Sequence, residues 1–325
     1  MLLNQFKMGL KSRINYWQRI FSAYFGKNSH LSFWHGLPQI NPVASFDKLG
    51  QYYMLFKYKA DYARPFDSNG IPLLDYRGKI GKQYNPIAIA QYGLGHYNRG
   101  NLEIAKKQAD WLVDNLEQNK QGVLVWMHNF DWEYRDKLKA PWHSALAQGN
   151  GISLLVRVYL GTNNKKYLET AKKAFESLLV PVETGGVLCV DKNNNFWLEE
   201  TIIEPPTHIL NGFFWTLFGV WDYWLLTKEV KAKELFDKCV KTLKNNLKDF
   251  DAGFWSLYEQ SGTKMRMLAS TFYHKLHIVQ LKILYKITGE KIFQEYAEKW
   301  EQYQRNWFYK KFALIYKIIF KIFYY

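Results

Sequence analysis

Residues 205–243, PPTHILNGFFWTLFGVWDYWLLTKEVKAKELFDKCVKTL, join two stretches of opposite character. After the Pro-Pro-Thr entry comes a run of aromatic and aliphatic residues that is apolar nearly all round. A helix of that kind has to be walled in on several sides. Beyond Thr227 the pattern changes to an amphipathic helix with a Lys/Glu face, which belongs at a surface. The segment therefore predicts an inner helix and an outer helix joined by a short polar turn.

The same plan occurs three more times. It appears from Asn85 as NPIAIAQYGLGHYNRGNLEIAKKQADWLVDNL and from Trp142 as WHSALAQGNGISLLVRVYLGTNNKKYLETAKKAFESLL, and it returns from Ser270 as STFYHKLHIVQLKILYKITGEKIFQEYAEKWEQY. The entries recur every sixty or so residues, roughly a helical hairpin plus a long loop. Inner and outer helices alternating around a ring describe a mainly α protein, an incomplete α/α toroid of about four helical hairpins. Helix starts and long loops then gather at one rim, where a site would form. Between Gln51 and Tyr84 the aromatic–polar alternation of YYMLFKYKADY and the turn signals Asn69-Gly70 and Gly78 predict one or two β-hairpins ahead of the first inner helix. The expected organisation is a basic amphipathic segment over 1–33, an extended or β-hairpin region over 34–84, the toroid over 85–307 and an amphipathic basic tail over 308–325.

That tail, NWFYKKFALIYKIIFKIFYY, sets Lys310, Lys317 and Lys321 on one narrow helical stripe among apolar residues. Two placements suit it: an interfacial anchor, or a helix packed on the toroid's outer wall with its lysines reaching solvent. The N-terminal FKMGLKSRINYWQRIF has similar character. No signal-peptide pattern and no run of about twenty apolar residues is present, so the expectation is a cytoplasmic protein, with peripheral contact at the inner membrane through its termini.

Thirteen tryptophans and 23 tyrosines in 325 residues suit a groove that is partly apolar and partly wet. A net charge of +15 points to an anionic partner, and on charge alone nucleic acid, acidic lipid and acidic polysaccharide all qualify. Cys189 and Cys239 form neither a disulfide framework nor a metal-ligand spacing. There is no Ser-His-Asp signature, no phosphate loop and no HExxH, and the glycines of GLGHYNRG follow no strand. No cofactor and no metal is called for. Titratable groups do collect at the expected rim. Glu199, Glu200 and Glu204 precede the third inner helix, Tyr258 lies in GFWSLYEQ, and Tyr273, His274 and His277 stand at the head of the fourth.

Four collinear motifs, PIAIAQYGLGHYN, WHSALAQGNGISLLVRVYL, LEE…PPTHILNGFFWTLFGVWDY and TFYHKLHIVQL, resemble the D-glucuronyl C5-epimerases. These invert glucuronic acid to iduronic acid within heparosan and heparan-type polymers. The resemblance runs from about Trp34 to about Tyr303 and is to a short, bacterial-type member. It implies an isomerase whose partner is an acidic, heparosan-like polysaccharide and not nucleic acid, with a dimer as the family-like assembly. By motif match the catalytic residues fall on Glu200, Tyr258 and Tyr273. One departure is Thr201, where the family motif has tyrosine. Glu200 and Tyr273 would be the acid/base pair, with Tyr258 hydrogen-bonding the uronate or stabilising charge. Gln91, Tyr92, Trp142, Gln148 and Asn211 are candidate sugar contacts in or beside the inner helices. Arg266 or Arg135 would grip the carboxylate, and His274 and His277 would orient Tyr273 or the sugar. Two other outcomes suit the same residues: a toroidal polysaccharide lyase, which begins with the same proton abstraction, and a non-catalytic binder of acidic glycan.

Overall fold

The structure is a computed structural model that describes residues 33–133 and 137–324. The N-terminal amphipathic segment as far as residue 32, and Arg135, lie outside the described residues. Four helical hairpins follow one another: α2 Pro86–Asn98 with α3 Leu102–Asp114, α4 Ala145–Thr162 with α5 Lys165–Glu176, α6 Leu210–Thr227 with α7 Val230–Asn246, and α8 Thr271–Thr288 with α9 Lys291–Arg305. Each turn passes through a left-handed residue, Gly100, Asn163, Lys228 and Gly289 in order. The first member of each hairpin is buried on most sides and the second along one face. This is the mainly α, incomplete α/α toroid that the apolar and amphipathic runs predict.

Side-chain caps start three of the inner helices. Asn85 accepts from the amides of Ile87 and Ala88, Ser144 from Leu146, and Ser270 from Tyr273. The fourth, α6, has no such cap, and the amide of Leu210 donates to the carbonyl of Tyr258 at 3.1 Å. The inner helices pack in the order α2–α4–α6–α8. Between α4 and α6 the backbones come close: a Cβ on Gly219 would lie 2.3 Å from the carbonyl oxygen of Gly149, so neither position has room for a side chain.

The interior of the arc is filled by the chain that precedes it. Tyr52 stacks on Trp215 of α6, Phe56 packs against the same ring at a tilt, and Tyr53 packs on Phe218. Asn98 of α2 accepts from the Tyr52 amide and donates to the Met54 carbonyl. Arg157 of α4 donates to the carbonyl of Gly50 and, in a fully buried ion pair, to both carboxylate oxygens of Asp222, which also accepts from the Tyr53 hydroxyl. Residues 50–56 thus form a strap through the arc. Of the one or two β-hairpins expected here one forms, β1 Leu73–Asp75 with β2 Lys82–Tyr84, and it lies at the end of the region. In the strap only Met54 makes a bridge, to Ile40, and residues Lys57–Ala60 are the one-turn helix α1. Tyr52, Tyr53, Met54 and Phe56 are buried whichever way they point, because helices surround them. Alternation there is not the mark of a half-covered sheet.

The tail is a helix, α10 Trp307–Tyr324, turned against the last hairpin. Ala313 and Phe320 are buried, Phe312 packs edge-on to Phe254, and the Tyr324 hydroxyl accepts from the Met265 amide. The lysine stripe leaves the solvent side after Lys310, which is exposed. Lys317 is turned inward, donating to the carbonyl of Leu268 at 2.7 Å, while Phe308, Ile315, Ile318, Ile322 and Phe323 stand exposed. Among the described residues no helix is long and apolar enough to cross a membrane.

Candidate active site

A cavity of about 220 Å³ opens where the inner helices begin. Gln91, Asn211 and Tyr273 reach it from α2, α6 and α8, and Trp142, Glu200 and Tyr258 from the connecting loops. The wall opposite the loops is built by residues 34–39 and by Lys57–Lys59 beyond the strap.

β3 Leu188–Val190 pairs with β4 Phe196–Leu198, and β4 delivers two consecutive glutamates into different surroundings. Glu199 is buried and spent: its backbone donates to Val187 and accepts from Ala145, and its carboxylate pairs with the ring and amide of His208, which stacks on Trp197. Glu200 turns the other way, onto the cavity. It rests on Gly212, where a Cβ would fall 2.1 Å from its Oε2, so only glycine seats it. Its carboxyl oxygen Oε2 accepts a long bond from the Asn211 amide, 3.5 Å. Burial, and then the charge of Glu199, push its carboxyl up to about 8, so it holds its proton at neutral pH.

The two tyrosines meet edge to face with ring centroids 4.9 Å apart. Tyr258 is held by the bond from its amide to Met267 and by its carbonyl at the start of α6, and Tyr273 by the Ser270 cap. His35 lies against Phe272 and Tyr273. Lys59 sits over the rings of Phe33 and Trp34, its Nζ 4.3 and 4.9 Å from the centroids, and burial draws its amine down to about 7. Behind Tyr258, the Nζ of Lys317 stands 5.6 Å from the ring centroid.

Of the sequence candidates, Gln91, Trp142, Glu200, Asn211, Tyr258 and Tyr273 border this cavity, and five described ones do not. Tyr92 is packed among Phe66 and His96 in a separate aromatic cluster. Gln148 is buried within α4 and bonds its own helix at Ser144. His274 and His277 are buried around Ser256; the Ser256 amide donates to Nδ1 of His274, whose Nε2 faces the Trp300 carbonyl. Both rings are held neutral by burial, which suits a structural knot and not a sugar contact. Arg266 is exposed and lies beside Tyr316 of α10, outside the cavity lining. Thr201 is buried with its hydroxyl 3.1 Å from that of Thr207. The sequence reading missed His35, Lys59 and Lys317. The first two belong to chain that reads as a β cap, and the third to a stripe that reads as solvent-facing.

The fold and cavity define a class: an α/α arc carrying a neutral carboxyl group and a phenol pair at the head of its inner helices. Residues 118–302 match the family model of the D-glucuronyl C5-epimerase C-terminus, and the chain belongs to that family. It is 31% identical over 198 residues to an uncharacterised protein of Methanocaldococcus jannaschii, covering 60% of this chain and 63% of that one. It is 32% identical over 210 residues to the D-glucuronyl C5-epimerase of Caenorhabditis elegans, covering 60% of this chain and 34% of the relative. The chain thus spans under two thirds of the length of both. Similar solved structures include a cellobiose 2-epimerase of Spirochaeta thermophila, with TM-score 0.45, 12% identity, and 67% and 55% of the two chains covered. A polysaccharide lyase is similar with TM-score 0.42, 12% identity, and 90% and 75% covered.

Proposed function

We propose that the protein is a uronate C5-epimerase that converts D-glucuronic to L-iduronic acid within a heparosan-like polysaccharide. The observation that carries the reading is the convergence of Glu200, Tyr258, Tyr273 and Lys59 on one cavity. Removing the C5 proton of a uronate leaves a dianionic enediolate, so the site must supply cations and strong donors. Lys59 answers the first need, and a bound carboxylate would restore the proton that burial makes labile. The Tyr258 hydroxyl and the Asn211 and Gln91 amides answer the second. Gln91 also offers its buried Oε1, which has no partner among the described residues, as an acceptor for a sugar hydroxyl.

Inversion then needs one proton removed and one returned on the opposite face. Tyr273 as phenolate takes the C5 hydrogen, and Glu200, already in its acid form, gives its proton from the other side. In the reverse direction the roles exchange. Incubating heparosan with the protein in deuterated water tests the reading: deuterium enters C5 and iduronate accumulates without ultraviolet absorbance. An unsaturated, absorbing product would mean elimination, and no deuterium at C5 would leave a non-catalytic glycan binder. Tyr273→Phe should lower exchange at least about a hundredfold with the fold intact.

Peripheral lipid contact belongs to the same reading, and we assign it to the exposed apolar side of α10. Lys310 and Lys311 flank that side and are exposed, as anionic headgroups would require. Sedimentation with anionic liposomes is the expected result; concentration-dependent dimerisation without liposome binding would assign that side to a second copy instead.

A further inference from the structure

We propose that Lys317, carried in by the C-terminal helix, is a positioning residue that holds a positive charge behind Tyr258 and so strengthens that tyrosine's hydrogen bond to a uronate. The proposal rests on the reading of the cavity as a uronate site, and adds to it a residue beyond the stretch 118–302 that matches the family.

The geometry is specific. Residues 256–258 and 267–269 run alongside each other, joined by the Leu257–Leu268 bridge, by the bond from the Tyr258 amide to Met267 and by that from the Ala269 amide to Ser256. α10 lies across this pair, and Lys317 is fixed to it by its bond to the Leu268 carbonyl. Its ammonium therefore stays near the Tyr258 ring, at 5.6 Å from the centroid, without bordering the cavity. It acts through the phenol and not on the sugar. A charge at that range in a poorly solvated site favours electron density on the phenol oxygen, and also the dianion the phenol would bind.

Burial and the neighbouring Lys321 draw the Lys317 amine down to about 7, opposed by the carboxylate of Glu259. The charge is therefore present below about pH 7 and lost above it. The other groups facing this place are Glu259, itself raised to about 7, Tyr258 and Tyr273, and His35 and Lys59 across the cavity; Lys321, Tyr316 and Tyr324 lie on α10 itself. All are common to variants at position 317, so a ratio of variants isolates the lysine apart from its coupling to Glu259. A Glu259→Gln background removes that coupling.

The test is C5 deuterium incorporation into heparosan at pH 6 and pH 9 by the full chain, by Lys317→Met and by Lys317→Arg. Binding of a glucuronate-containing oligosaccharide is measured alongside. Lys317→Met should be slower than the unaltered protein by about tenfold or more at pH 6, and close to it at pH 9. Lys317→Arg should match the unaltered protein at pH 6 and exceed it at pH 9. The same signs should appear in the affinities. A Lys317→Met deficit equal at both pH values, or left unrepaired by arginine, would make Lys317 a packing residue and overturn the proposal while leaving the epimerase reading intact. An unaltered protein that neither exchanges nor binds would overturn the uronate reading, and this proposal with it.

Discussion

Glu199 and Glu200 are neighbours in sequence and opposites in state. The first is paired with the ring and amide of His208 within the framework; the second keeps its proton in a pocket without a cation at bonding distance among the described residues. Glu200→Gln should abolish most C5 exchange, by about a hundredfold or more, because only the unpaired carboxyl can give and take a proton. Glu199→Gln should keep more activity and lose about 1–3 kcal/mol of stability, since His208 is left with a poorer partner. The two can be told apart by pH as well. The Glu200 carboxyl titrates at about 8 in the folded chain against an ordinary 4.5, so the folded state holds that proton more tightly. Ionisation then opposes folding increasingly as pH rises from the lower value to the higher. Melting curves should show Glu200→Gln gaining little at pH 4 and most at pH 8 and above. A gain independent of pH would mean that Glu200 is not the buried acid.

How far such details could be read from the chain depends on the range of the contact. The hairpins are legible because burial on all sides and burial on one side leave different patterns within a single helix, as in α6 and α7. Asn85, Ser144 and Ser270 likewise announce helix starts by local bonding. Glu200, Tyr258 and Tyr273 stand near those starts, so their convergence follows from the hairpin plan. Lys59 and Lys317 do not. Each meets its neighbours across a long stretch of chain, and nothing local distinguishes a lysine that turns inward from one in water. α10 shows the difficulty: its stripe is real, but the helix is rotated so that Lys317 and Lys321 meet the protein, while Lys310 and much of the apolar side do not. A chain ending at Asn306 should melt roughly 5 °C lower, given two buried anchors lost from a domain of this size. Its C5 exchange should fall too, as Tyr258 loses both its cover and its cation. Unchanged exchange in that shortened chain would remove α10 from the site.

The strap ties the hairpins together at one buried point. Asp222 of α6 takes Arg157 of α4 and Tyr53 of the strap at once, and Arg157 also holds the Gly50 carbonyl. Removing one partner of such a pair leaves a charge without compensation and costs about 3–5 kcal/mol. Asp222→Asn should therefore lower the denaturant midpoint sharply, although the residue lies outside the cavity lining. Arg157→Met with Asp222→Leu together should recover part of that loss, since an apolar pair has no orphaned charge.

The same knot bears on heredity. The stretch that matches the family model, 118–302, contains Arg157 and Asp222 but neither Tyr53 nor Gly50, and it leaves out the first hairpin that walls α4. Were a gene fusion or a truncation to transmit that stretch by itself, it would deliver a buried ion pair short of its partners and an inner helix with one flank open. Recombination could move this fold intact only by carrying the strap along. The unit that could be passed on whole therefore reaches back past Gly50.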